Sequence, residues 1–515
     1  MQGTGMLKRF GVVCLSALMI LVAGCSGSGG SAPSNSKGDN GAPAQKGGKL
    51  IVGRSQPSDT LDPAATIAGP SWEIFRLIYS TLVTKTKDGF EGNLAEKWDV
   101  TTDAKTWTFT LRKDQVFSNG DPVNADAVAF TFNRILDPKT KAPSRGFLGP
   151  LDKVEKVDDY TVKFIMSQPF ALLLDNLAIE YFGIVDPKAV AKSGADYGRN
   201  PVGSGPWKLK EWVTGDRIVL VPNEQYKGFH SFLTNKAKPF ADELVFREIP
   251  QIETQLAALQ SGEINFVSGL PGDKASQFKG RTDIKLLTSE RSTAIAYLGF
   301  GMNKAAAGQT NSFKAPFDDI KVRQAMGYAV DANQIIDKVL YGFGVRNGTP
   351  MPTGNFGYDP GLKQYGFEFN LQKANQLLDE ANWKMGADNI RQKDGKKLEV
   401  SFWALNSSGM GDVAQVIQSQ LAKVGMKANV TALDVATYTA RVATSDMQLE
   451  LISVGWSSPN ILNIMTTLGW GTGLYNEKGL TDLLNKAQST PDAAQRKQLY
   501  AQTQQMMLTS AILVP

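Results

Sequence analysis

Along Thr106–Leu111 the hydroxyls of Thr106, Thr108 and Thr110 alternate with Trp107, Phe109 and Leu111. A period of two puts the apolar side chains on one face of a strand and the hydroxyls on the other. Tyr160, Val162 and Phe164 repeat the device. Between these strands Asn124 is placed to cap a helix running to about Leu136, and Asp137-Pro138 stops it, so this stretch predicts a small α+β unit. Upstream, Lys49-Leu50-Ile51-Val52-Gly53 predicts a short strand, followed by a loop around Asp59, Leu61 and Pro63 and a helix near Trp72 to Tyr79.

From about Tyr297 the period lengthens. Val322, Ala325, Met326 and Ala329 mark one helical stripe. Ile335, Ile336, Val339 and Leu340 mark the next, with Asp331 placed to cap it and Gly342 to end it. Leu398, Val400 and Phe402 then predict a strand, Val413 to Val424 a helix closed by Gly425, and Met426 to Thr431 a strand. Val435 to Thr444 predicts a helix and Leu449 to Val454 a strand. This β-α-β-α-β order predicts a parallel sheet with right-handed crossovers.

The N-terminus has a different character. Lys8 and Arg9 precede an uncharged apolar run from Phe10 to Val22 that ends in Val22-Ala23-Gly24-Cys25. The run is too short to span a bilayer comfortably, and a charged start, an apolar middle and small residues before a cut site mark a secretory signal peptide. The pattern resembles a bacterial lipoprotein box. It makes 1–24 the signal peptide, Cys25 the lipid attachment site, and the Ser/Gly/Ala/Pro-rich residues 25–46 a flexible tether.

Composition narrows the class. Of two cysteines, Cys14 falls in the removed part, so the mature chain has no partner for an internal disulfide. Without Lys8 and Arg9 the formal charge falls from +5 to +3, a weak excess that argues for neither nucleic acid nor an acidic membrane surface. No second apolar run reaches membrane length, so attachment is expected by lipid alone. The chain has one histidine, His230, which excludes paired-histidine zinc motifs, and it carries neither a G-x-S-x-G elbow nor a P-loop. Gly203-Ser204-Gly205 reads as a tight turn between lobes, and Asp158-Asp159 and Asp318-Asp319 as turn carboxylates. No catalytic residue, metal or cofactor is expected, and an exported hydrolase is the weakest of the readings.

Open parallel sheets bind ligands beyond the carboxyl ends of their strands. Trp403 and Asn406 follow the first strand of the β-α-β-α-β stretch, and Gly455-Trp456 follow the last. An indole offers a large flat face and one donor, which suits a ligand gripped without chemistry. Tyr438 and Arg441 share one helix face at i, i+3, and Arg441 could meet a carboxylate bidentately. With Asp59 in the early loop, the candidate ligand-binding residues are Trp456, Trp403, Asn406, Tyr438, Arg441 and Asp59.

Taken together and in order, several fragments resemble the family-5 extracellular solute-binding proteins, the oligopeptide, dipeptide and nickel-binding group of ABC importers. They begin with Leu61-Asp62-Pro63 and Leu94-Ala95-Glu96-Lys97-Trp98. Trp107-Thr108-Phe109-Thr110-Leu111-Arg112, Phe117-Ser118-Asn119-Gly120 and Asn124-Ala125-Asp126-Ala127-Val128 follow. Next come Pro201-Val202-Gly203-Ser204-Gly205-Pro206-Trp207, Asn223-Glu224-Gln225-Tyr226 and Leu259-Gln260-Ser261-Gly262-Glu263-Ile264. The most specific run is Pro316-Phe317-Asp318-Asp319-Ile320-Lys321-Val322-Arg323-Gln324-Ala325 with Tyr328-Ala329-Val330-Asp331.

The resemblance implies an α/β fold of the periplasmic-binding-protein type II class, with two lobes, a hinge, and an extra α+β subdomain inserted in lobe one. Mapped here, lobe one takes 47–80 and 198–296, the insert 81–197 and lobe two 297–505. Residues 506–515 are expected to return to lobe one, incompletely. The resemblance also implies a monomeric receptor on the extracytoplasmic or periplasmic face that closes over a small solute and delivers it to an ABC permease and ATPase complex. A peptide is the leading ligand. Peptide binders of the group usually carry an acid a few positions after the glycine-tryptophan pair. Here Trp456 is followed by Ser457-Ser458-Pro459-Asn460, with no acid before Glu477. A buried ammonium without a counter-charge is costly, which leaves an opine, a glycoside or a metal chelate as alternative ligands, and a sensory lipoprotein as an alternative role. A bare nickel ion is disfavoured, because it wants several nitrogen or oxygen side chains.

Overall fold

The computed structural model describes residues 46–86, 89–228, 235, 238–289, 291–303, 312–405, 409–442, 447–467 and 478–515. Cys25 and the tether up to Gln45, His230 and Asn406 lie outside the described residues.

The chain opens with β1 (Lys49–Arg54) and α1 (Gly69–Ile78), then enters a run of short strands: β2 (Val83–Thr86), β3 (Gly89–Gly92), β4 (Ala95–Val100) and β5 (Thr106–Leu111). Helix α2 (Ala125–Leu136), β6 (Leu151–Asp158), β7 (Thr161–Met166), α3 (Leu173–Leu177) and α4 (Pro187–Ser193) follow. Strands β4, β5, β7 and β6 form one antiparallel sheet, the insert. The threonine alternation of β5 places Trp107, Phe109 and Leu111 in the core as expected. Helix α2 covers that face. Its cap is Asn124, whose side-chain oxygen accepts from the Ala127 N–H at 3.1 Å, and Phe132 meets Phe164 edge-on with centroids 4.8 Å apart.

Lobe one is a five-stranded sheet in the order β11-β1-β10-β9-β8, from β8 (Trp207–Val213), β9 (Arg217–Pro222), β10 (Glu243–Glu248) and, after α5 (Ile252–Ser261), β11 (Phe266–Val267). A two-pronged ion pair ties the insert to it: Arg134 of α2 donates to both oxygens of Asp62 at 2.9 and 2.6 Å, beside the buried Tyr79 and Tyr197. Gly203 and Gly205 serve closeness rather than turn conformation. A Cβ at Gly203 would lie 2.1 Å from the Ile78 carbonyl oxygen, and the Gly205 N–H donates to that same oxygen at 2.8 Å. The glycines let the returning chain lie directly on the end of α1.

Lobe two is a second five-stranded sheet. After α6 (Gly272–Ser276) come β12 (Ala294–Phe300), the hairpin β13 (Met302–Asn303) and β14 (Ser312–Phe313), α7 (Ile320–Ala329), α8 (Ala332–Lys338) and α9 (Leu371–Glu380). A small sheet of β15 (Lys384–Met385), β16 (Arg391–Lys393) and β17 (Lys396–Lys397) leads into β18 (Glu399–Leu405), α10 (Met410–Ala422), β19 (Lys427–Leu433), α11 (Val435–Val442) and β20 (Leu449–Gly455). The chain closes with α12 (Ile461–Thr467), α13 (Lys478–Ser489), α14 (Ala493–Thr509) and β21 (Leu513–Val514).

As the alternation predicts, β18 pairs parallel with both β19 and β20. The sheet is nonetheless mixed, in the order β19-β18-β20-β12-β21, because β12 runs antiparallel to β20 and β21 antiparallel to β12. That pairing corrects the expected return of residues 506–515 to lobe one: Leu513–Val514 join the lobe two sheet. Buried Arg323 holds the turn before them, donating through Nε to the Ala511 carbonyl and through Nη2 to the Ser510 carbonyl, each at 3.0 Å. Asp331 caps α8 by accepting from the Gln334 N–H at 3.0 Å, and Gly342, at φ +79°, donates back to the Ile336 carbonyl at 2.9 Å. Among the described residues no helix is long and apolar enough to cross a membrane.

Candidate functional site

Strand β20 ends at Gly455, and the next residue leaves lobe two for the insert. The Trp456 N–H donates to the Thr293 carbonyl at 2.9 Å and its carbonyl accepts from Asn355 Nδ2 at 2.8 Å, so the backbone is fixed from both sides. The half-buried indole packs against the cores of lobe two and of the insert. Its ring meets that of Phe147 edge-on, centroids 4.5 Å apart, and the Phe147 carbonyl accepts from Asn176 Nδ2 at 2.5 Å. Trp456 therefore stands at the seam between two separately packed bodies.

The seam carries charge. Lys85 of β2 donates to Asp175 Oδ1 at 3.0 Å and also to the Ser457 carbonyl, next to Trp456. Asp175 is buried, its side chain only 4% exposed, so the ammonium supplies the counter-charge that makes its burial tolerable. Burial pushes the nearby Tyr500 hydroxyl upward, and the Asp175 charge adds to that. Among the described residues, the buried polar atoms Trp456 Nε1, Asn355 Oδ1, Asn176 Oδ1 and Tyr500 Oη near this pair make no hydrogen bond. Buried polar groups are rarely left unpaired, and each such group costs about 1–3 kcal/mol. A set of one N–H, two amide carbonyls and a phenol at one seam is suited to a polar ligand or to water.

The other candidates divide. Trp403 lies within β18 rather than after it, and it is buried, which corrects its expected place at the strand end. The structure does bring Trp403, Tyr438 and Arg441 together, but beneath α11 on the sheet face. The guanidinium of half-buried Arg441 sits over the Trp403 ring, and the Tyr438 hydroxyl donates to Glu450 Oε2. Glu450 is Trp403's register partner across β18 and β20 and is fully buried, with Oε1 making no hydrogen bond. Burial raises its carboxyl to about 7, the Tyr438 hydrogen bond working in the opposite direction. Asp59 is exposed and engaged locally: Ser71 Oγ and Thr66 Oγ1 each donate to it at 2.6 Å. Burial works to raise its carboxyl, but these bonds and the Thr60 N–H hold it below the usual range. A cavity of about 830 Å³ opens along β12 between Ile295, Tyr297, Ile335, Leu340 and Val413, and none of the candidates lines it.

Sequence reasoning misses Lys85, Asp175, Phe147 and Asn355. Their spacing holds no signal, since Lys85 and Ser457 meet across 372 positions of chain.

Comparison with known proteins agrees with this architecture. Residues 89–476 match the bacterial extracellular solute-binding proteins, family 5. The probable D,D-dipeptide-binding periplasmic protein DdpA of Escherichia coli K12 is 29% identical over 90% of this chain and 87% of its own. The structure of the Bacillus subtilis oligopeptide-binding protein AppA with a nonapeptide superposes with a TM-score of 0.70 at 25% identity, covering 91% of this chain and 92% of AppA. NikA of Brucella suis with Fe(III)-EDTA shares the fold at a TM-score of 0.78 and 24% identity, covering 91% of this chain and 93% of NikA. With the family match spanning well over half its length, the chain belongs to the family 5 bacterial extracellular solute-binding proteins.

Proposed function

We propose that this chain is the lipid-anchored receptor of an ABC importer, taking a short peptide at the seam between lobe two and the insert and presenting it to the permease in the closed form. The observation that carries the reading is Trp456: one side chain packed on both bodies, placed just beyond the carboxyl end of a parallel strand, with a buried indole N–H that has no acceptor. Ligands of open α/β sheets gather at that end of the strands. A ligand that contacts both bodies at once has a higher affinity for the closed arrangement, and it shifts the population by that difference alone. The named binding of dipeptides and oligopeptides by relatives of similar length supports a peptide. The pattern around Cys25 supports the anchor, and the orientation that goes with it is the outer face of the cell membrane.

The test is native mass spectrometry of the purified mature chain, followed by denaturation and identification of what is released. A mixture of short peptides establishes the reading. A single non-peptide compound overturns the peptide part and leaves the receptor.

A further inference from the structure

From the seam we infer that Lys85 determines ligand specificity: its ammonium fills, from within the protein, the acid-and-carbonyl seat beside Trp456, so the ligand end received there is a neutral amide or acyl group and not a free ammonium. The inference rests on the reading of Trp456 as the capture surface.

Three observations carry it. First, the seat is complete and occupied. A buried carboxylate, Asp175, and a backbone carbonyl, Ser457, converge on one ammonium, which is the arrangement an ammonium-bearing ligand needs. Second, the charge is already balanced. A second cation entering this low-dielectric site would meet Lys85, whose ammonium already takes the Asp175 carboxylate. Third, among the described residues the unpaired buried groups at this seam are all neutral. The Trp456 N–H asks for an acceptor, and the carbonyls of Asn355 and Asn176 ask for donors. Asn355 is held in that orientation because its Nδ2 donates to the carbonyls of Trp456 and Ser458, at 2.8 and 3.3 Å. An amide, with one acceptor and at least one donor, answers this set; an ammonium, with donors alone, leaves the indole unsatisfied.

The experiment has two arms. In the first, wild type, Lys85→Ala and Lys85→Ala/Asp175→Asn are melted in methylammonium chloride and in sodium chloride at equal ionic strength. Lys85→Ala is expected to melt lowest and to regain several degrees with methylammonium alone, while the other two do not respond. Should Lys85→Ala fail to fold, Lys85→Ser, which also empties the seat, takes its place. No response to methylammonium in the single variant, or an equal response in all three proteins, overturns the seat. This arm needs no peptide, so it can fail while solute capture stands, and it can succeed even if the released solute is not a peptide.

In the second arm, alanyl-alanine and N-acetyl-alanyl-alanine are titrated against wild type and the single variant by calorimetry. The preference of wild type for the acetylated form is expected to fall by on the order of tenfold in the variant. An unchanged ratio, including binding of neither probe by either protein, overturns the role in specificity.

Discussion

The guanidinium of Arg441 lies over the indole of Trp403, its central carbon 4.4 Å from the ring centroid. The sequence pattern makes both residues candidates for ligand contact. In the structure they are partners of each other, one on α11 and the other on the sheet beneath it. A partly exposed cation over a ring contributes about 0.5–1 kcal/mol. Arg441→Ala is therefore expected to lower unfolding stability by about that much in a denaturant titration, with ligand affinity within about twofold of wild type. A larger loss of affinity would return Arg441 to the binding surface.

Glu450 gives the molecule a pH dependence of definite sign. Its folded-state carboxyl is raised to about 7 from a reference value of 4.5. Between these two values the folded chain keeps a proton that the unfolded chain has released. Stability therefore falls as pH rises from about 4.5 to about 7 and is level above that, by about 3 kcal/mol at most. Glu450→Gln keeps the shape and cannot ionise. Denaturant midpoints between pH 5 and 8 should be flatter for the variant and higher than wild type at pH 8; parallel curves would show that Glu450 is not the titrating group.

These two residues show how far the sequence can be read. Caps and periodicities are local, and Asn124, Asp331 and the alternation of β5 reappear as expected. The order of strands and helices from β18 to β20 is equally local, and it carries the parallel pairing with it. Which face an aromatic takes is not local. Trp403 is two residues short of the strand end, and that offset decides between the crevice and the core. Nothing in the spacing of Lys85, Asp175 and Trp456 forecasts that they share a seam. That meeting depends on how the insert leans on lobe two, and the same dependence explains why Trp456 alone of the described candidates stands at the junction.

At the junction itself, Trp456→Ala removes the indole that spans both bodies. Central interface tryptophans cost about 2 kcal/mol or more on truncation. Binding of whatever solute co-purifies is expected to weaken at least about thirtyfold by calorimetry, the equivalent of that energy. Circular dichroism should stay native. Unchanged affinity in a folded variant would place the ligand elsewhere.

Gly203→Ala tests the close approach between the end of α1 and the returning chain. A methyl group there would sit 2.1 Å from the Ile78 oxygen, which must move. Overpacking of this kind costs about 1–3 kcal/mol. The melting temperature should fall by several degrees, and an unchanged value would mean that the two segments separate freely.

Cys25→Ser tests the anchor without touching the fold. In cell fractionation with detergent phase partitioning, the wild-type chain is expected in the membrane and detergent phases and the variant in the aqueous phase. Retention of the variant in the membrane fraction would mean that something other than a Cys25-linked lipid holds the protein there.

The two-pronged grip of Arg134 on Asp62 has a mechanical meaning. It couples the position of the insert to that of lobe one at this point. A displacement of the insert from lobe two would part Phe147 from Trp456, whose rings now meet edge-on. The difference in tryptophan emission between wild type and Trp456→Phe, which subtracts the other eight tryptophans, would act as a built-in gauge of that gap with no attached dye.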